Sequence, residues 1–250
     1  MPVRLQYPGK GPAPDVRRKR PVRDTTRFGY PFAQLQDDFN DNTINTVVWA
    51  NNFGAVSETG GRARVTCDTG FAAYSSYKGY YLRESTVLLQ VFPPVLGGGT
   101  ASVFAQVLIK QRVSGTDVGF EIDRFSGNLI AFSRVGFTPD GGTVTVTYSP
   151  TNHAWLRVRE TGGQTFWDVS ADGTAWSNFR TSATPSWVTT DTDLEFQLIC
   201  HRTDGTNDFA EFDNVNVPPA VTVATAETAS GTGTAPDAPA SVEARPDTPS

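Results

Sequence analysis

Between residues 33 and 217 the chain is a succession of short strand-type runs, and this limits its fold more than any other feature. Eleven such runs are readable: "AVSET", "RARVTC", "STVLLQVF", "ASVFAQVLIKQR", "VGFEIDR", "NLIAFSRV", "GTVTVTYS", "AWLRVRE", "TFWDVS", "LEFQLICH" and "FAEFDNVNV". They are rich in β-branched and aromatic residues, and apolar positions recur with a period of two. The connections "ETGGQ", "ADGT" and "PDGGT" are hairpin-type turns in which glycine supplies the positive φ. No stretch carries a convincing helical period. So many antiparallel strands in one body predict an all-β, two-sheet sandwich around a single core. In "AWLRVRE", Leu156 and Val158 point one way and Trp155, Arg157 and Arg159 the other, which predicts a core face and a wet, Arg-rich face.

The flanks differ from this body. Residues 1–30 hold eight basic residues against two acidic ones, a net +6, while the whole chain carries −5. Residues 1–32 read as an extended, Pro/Gly-rich arm without apolar periodicity, and 218–250 as a disordered low-complexity Ala/Thr/Pro tail or linker. The run Arg17, Arg18, Lys19, Arg20 with Arg23 is basic enough for a nucleic-acid patch. It has no interleaved aromatics and an acidic body behind it. The reading is therefore an arm that docks on neighbouring subunits, with no nucleic acid as partner. No run approaches the roughly 18 apolar residues that span a bilayer, so no membrane is expected, and the N-terminus shows no apolar signal region. Cys67 and Cys200 each end a strand run and read as buried thiols that could pair only if their strands are neighbours.

The run "HAWLRVRETGGQTFWDVSADGTAWSNF" (153–179) resembles a hairpin of concanavalin A-like jelly rolls, the legume-lectin and laminarinase-type domains. "DDFNDNTINTVVW" (37–49) is similar to the first strand of such domains and "FAEFDNVNV" (209–217) to the last. The resemblance implies a concanavalin-like jelly-roll sandwich over 33–217. It extends to domains of this kind in tail-associated and surface proteins of tailed phages. The fold alone does not assign an activity.

"GFEIDRFSG" (119–127) sets Glu121 and Asp123 two apart on one face of a strand. A retaining glycosidase needs two carboxyl groups about 5–5.5 Å apart. Laminarinase-type enzymes supply them from Glu-x-Asp-x-x-Glu, and here the last position is Ser126. Glu211 and Asp213 lack a second glutamate in the same way. Both pairs therefore read as solvent-facing acids opposite Arg or Lys on a neighbouring strand, and no catalytic residue is assigned. His153 and His201 have no metal-type spacing, and "LGGGT" (96–100) reads as a flexible connection.

Two binding expectations remain. Tyr74, Tyr77, Tyr80 and Tyr81 in "YSSYKGYY", with Trp167 and Trp187, are candidate sugar-stacking residues, while Trp155 and Trp176 read as packing. Asp38, Asn40 and Asp213 are candidate calcium ligands, calcium being the one cofactor considered; turn-forming Asx residues explain the same run without metal. The combined expectation is a non-enzymatic virion protein of a tailed phage. It would dock through its arm on other virion subunits, contact host-surface glycan, and be compatible with a homo-oligomer. The alternative is a secreted or cell-surface carbohydrate-binding protein or glycoside hydrolase.

Overall fold

The computed structural model describes residues 29–77 and 79–219. The basic arm residues Arg17, Arg18, Lys19, Arg20 and Arg23 and the segment 220–250 lie outside them.

In chain order the strands are β1 (Tyr30–Pro31), β2 (Val56–Glu58), β3 (Ala63–Cys67), β4 (Ala72–Ser75), β5 (Tyr80–Tyr81), β6 (Ser85–Phe92), β7 (Val103–Lys110) and β8 (Asp117–Asp123). They continue as β9 (Asn128–Val135), β10 (Thr138–Pro139), β11 (Val144–Thr147), β12 (Trp155–Thr161), β13 (Gln164–Ser170), β14 (Ser177–Ala183), β15 (Glu195–Arg202) and β16 (Asp208–Asp213). A short helix, α1 (Ser186–Thr190), precedes β15. One seven-stranded sheet, here the front sheet, runs β10-β9-β8-β7-β15-β4, with β11 also on β9. The other, the back sheet, runs β14-β13-β12-β6-β16-β3-β2. All pairings within both sheets are antiparallel. The architecture is the concanavalin-like jelly-roll sandwich that the sequence predicts.

Alternation sorts the side chains. Val87, Leu89 and Val91 of β6, Val118, Phe120 and Ile122 of β8, and Phe196, Leu198 and Cys200 of β15 all enter the shared core. Leu156 and Val158 do the same, while Arg157 and Arg159 leave the opposite face of β12 and both bind the buried Asp168. Trp155, on that outer face, is covered by the β13–β14 turn: a Cβ at Gly173 would lie 2.8 Å from its ring. Gly173 also holds φ 74°, which an L side chain rarely adopts.

Trp167 ties the two sheets together. Its ring is fully buried on β13, and its Nε1–H donates 3.0 Å across the core to the carbonyl of Gly119 on β8. The guanidinium of buried Arg180 lies over the same ring at 4.3 Å, itself ion-paired with Asp140. Cys67 and Cys200 are both buried and unpaired; hydrogen bonding between the two thiols holds Cys67 below the ordinary thiol value.

"DDFNDNTINTVVW" departs from expectation. It is a run of turns, pinned by the Asp37–Val215 bridge to the segment that follows β16 and braced internally by Trp49 Nε1–H donating 2.7 Å to Asp37. The "LGGGT" connection is held rather than loose: fully buried Arg202 donates to the carbonyl of Leu96 at 3.4 Å, and the N–H of Thr100 donates 2.9 Å to Asp204.

Candidate functional site

The outward face of the front sheet gathers its polar chemistry in cross-strand rows. One row reads Glu195, Lys110, Asp117, Arg134, the next Gln197, Leu108, Gly119, Phe132. A third reads Ile199, Gln106, Glu121, Ile130, and the end row His201, Phe104, Asp123, Asn128. An apolar patch of Ala73, Leu108, Phe132 and Ile199, with Ile130 against it, occupies the middle.

The acids on this face fall into two kinds. Asp117 takes a bidentate grip from Arg134 at 2.7 and 3.1 Å, and Glu195 accepts from Ser75 and, at 2.8 Å, from Gln197. Both are committed to holding the sheet. Glu121 has no cation opposite it. Its cross-strand partners are Gln106, which donates to Oε2 at 2.5 Å, and Ile130. Burial pushes the Glu121 carboxyl above the ordinary carboxylate range, against the Gln106 bond; the nearby Asp123 charge pushes it the same way and the Arg134 charge opposes it. Asp123 ends the strand, its Oδ1 accepting the N–H of Phe125 at 2.9 Å and of Ser126 at 3.3 Å. Ser126 is therefore in the turn, off the strand.

The expectation that both acidic pairs are surface acids facing cations thus holds for Glu211 alone. Glu211 is bound by Arg62 at 2.9 Å and Arg64 at 2.6 Å; burial pushes its carboxyl up, but the two guanidiniums outweigh that and hold it below the usual range. Glu121 is the opposite case, because the strand across from it offers an amide and a methyl-bearing side chain instead of a guanidinium.

Glycine makes this packing feasible. A Cβ at Gly119 would sit 2.0 Å from the carbonyl oxygen of Val107, so only glycine lets β8 lie this close to β7. Gly119→Ala is expected to cost about 2 kcal/mol or more through forced backbone displacement, read as a lowered urea midpoint at unchanged slope.

The predicted aromatic site divides. Tyr74 is fully buried, its hydroxyl donating 2.6 Å to Glu58, and Trp167 and Trp187 belong to the core cluster. These three are corrected from binding to packing: their strand or helix positions face inward. Tyr77 and Tyr80 do line a cavity of about 430 Å³ with Tyr30, Val47 and Val48. It opens beside Asp193, which precedes β15, and so lies at the Glu195 end of the face, about 20 Å along the strands from the Asp123 row. Tyr81, half-buried, is paired in β5 with Pro31.

For calcium, the structure displays the turn role of the same residues. Asp38 Oδ1 accepts the N–H of Asn40, and Asp37 and Asp41 cap Phe39 and Thr43 in the same way. Asp213 is near enough for the Asp38 charge to raise its carboxyl further, after burial. Among the described residues no three His, Cys, Asp or Glu side chains form a metal-type cluster. Among them, too, no helix is long and apolar enough to cross a membrane.

No protein-family model matches the sequence, and no curated protein matches it in sequence. Solved structures do match the fold. A Bacillus licheniformis beta-glucanase is similar with a TM-score of 0.53 at 12% identity, over 72% of this chain and 95% of that one. The apo Crh5 transglycosylase is similar with a TM-score of 0.53 at 12% identity, over 78% of this chain and 88% of that one. At such identities the likeness establishes the fold. The expectation of a non-enzymatic virion component is nevertheless corrected. The architecture is shared with a glucanase and a transglycosylase, and Glu121 is a half-buried strand acid that faces Gln106 and Ile130 across the sheet.

Proposed function

We propose that the chain is a carbohydrate-active protein of the glycoside hydrolase or transglycosylase class, acting on a glucan-type chain laid across the front sheet. The observation that carries this reading is Glu121. It is a carboxyl held protonated into a higher pH range by burial, two residues from a second carboxyl on the same face. That spacing puts the two Cα atoms about 7 Å apart, and flexible side chains of this length bring the carboxyl groups within the separations that glycosidic cleavage uses.

The roles follow from the environments. Glu121, whose carboxyl burial shifts toward the protonated form, donates its proton to the glycosidic oxygen as the bond to the anomeric carbon breaks. Asp123 supports the positive charge that develops on that carbon, as nucleophile or as base toward water. A sugar hydroxyl in place of water turns hydrolysis into transfer. The fold likeness to the beta-glucanase and the transglycosylase supports the substrate class.

Incubation of the protein with mixed-linkage β-glucan and with laminarin is expected to change the chain-length distribution of at least one, followed by chromatography of fluorescently end-labelled products. Unchanged distributions for both, at enzyme concentrations up to micromolar, would overturn the proposal.

A further inference from the structure

Beside Asp123 the front sheet carries an aromatic surface that neither the core nor the carboxyl pair uses. Phe71, in the loop entering β4, is 57% exposed, and its ring stacks flat on the imidazole of His201 at 4.1 Å and 4° between planes. Phe104 closes the group, its centroid 5.5 Å from His201 and 6.3 Å from Phe71. The imidazole is tied to the same loop, with Nδ1 3.0 Å from the carbonyl oxygen of Gly70. In the register of the sheet, His201 lies opposite Phe104, Phe104 opposite Asp123, and Asp123 opposite Asn128.

Stacked rings therefore give way, along one line, to a carboxylate and an amide. At about 4.8 Å per strand, His201 is about 10 Å from Asp123 and the line to Asn128 is about 14 Å. An apolar ring face followed by hydrogen-bonding groups is the pattern that complements a pyranose chain. The axial C–H bonds of one ring lie on an aromatic face, while the hydroxyls of the next reach oxygen and nitrogen partners. A protein partner broad enough to reach Asp123 and Asn128 would bury a carboxylate along with the rings.

We infer that Phe71, His201 and Phe104 form a sugar-stacking subsite, two strands from Asp123, that holds a β-linked glycan across the strands and feeds its scissile bond to Glu121. This rests on the carbohydrate-active reading above and adds to it the direction of the chain and the residues that grip it. Phe71 provides the outer face and acts by binding, without touching the reacting atoms.

The test uses the full chain carrying Glu121→Gln, so that binding is read without turnover, in native gels cast with mixed-linkage β-glucan or laminarin. Adding Phe71→Ala is expected to weaken retardation about five- to tenfold, while Phe71→Trp preserves it. In the otherwise wild-type chain, Phe71→Ala should raise KM for the polymer by a similar factor with kcat within about twofold, and leave the melting temperature unchanged. Retardation indifferent to Phe71, in a protein whose turnover requires Glu121, overturns the subsite and leaves the enzyme reading standing. Phe71-dependent retardation without any turnover supports the subsite and overturns the enzyme reading. Neither retardation nor turnover overturns both.

Discussion

Replacing Glu121 with glutamine is expected to lower glycan cleavage by about 10²–10⁴-fold while the protein remains folded. Glutamine keeps the size and the hydrogen bond to Gln106 but has no proton to give to a leaving oxygen. The substitution also has a signature in stability. Folding raises the Glu121 carboxyl above its unfolded value of about 4.3, because burial disfavours the charge. A raised carboxyl binds its proton more tightly in the folded state. Its stabilising contribution is present below the unfolded value and is lost as pH rises through the folded one. Wild type should therefore lose stability relative to Glu121→Gln as pH is raised from about 4.3 toward neutrality, a difference readable in parallel thermal melts. Activity should fall on the alkaline side for the same reason, since only the neutral carboxyl donates. Equal pH dependence of stability in the two proteins would show that Glu121 is solvated and unfit for the role.

The second large effect is structural. Trp167→Ala removes a fully buried indole that fills the core, receives the Arg180 guanidinium and donates to the Gly119 carbonyl. The cavity left behind costs about 3–5 kcal/mol. For a domain of this size that lowers the melting temperature by roughly 10 °C. Trp167→Phe retains most of the apolar surface but leaves the Gly119 carbonyl without its cross-core donor, a cost of about 1–3 kcal/mol. Because Gly119 is two residues from Glu121, the phenylalanine variant should also lose activity beyond its loss of stability. Activity in proportion to the folded fraction would mean that the tryptophan merely fills space.

The fold was legible wherever a strand has one wet and one dry face. "NLIAFSRV" is β9 to the residue, and "STVLLQVF" is β6, because their alternation reports burial directly. Strands without that contrast escaped. β4 (Ala72–Ser75) is buried on both faces, Tyr74 toward the core and Ser75 toward Glu195, so its four residues carry no wet-and-dry alternation that would separate Tyr74 from the tyrosines that follow it. β14 (Ser177–Ala183) is an edge strand with little apolar content, its one deeply buried side chain being Arg180.

The site was half legible. Glu121 and Asp123 stand out in the sequence, but their environment is set by register: Gln106 opposite one and Phe104 opposite the other come from pairing β7 with β8. The same local pattern at Glu211 meets Arg64, and that difference lies in no window of sequence. Phe71, Phe104 and His201 come from three segments spread over more than half the chain. The signal that could have raised them was alternation, which puts Phe104 and His201 on the outward face of their strands.

The most direct test of the Glu121–Asp123 pair is affinity labelling with an epoxyalkyl β-glucan oligosaccharide, followed by peptide mapping in a mass spectrometer. The reagent must be protonated by an acid and then attacked by a carboxylate lying beside a bound sugar. The predicted result is one label per chain on the peptide that carries Glu121 and Asp123, suppressed by excess free oligosaccharide and absent in Glu121→Gln. A label on Asp117, Glu195 or another acid, in a protein that still turns over glycan, would place the reaction elsewhere and contradict the account.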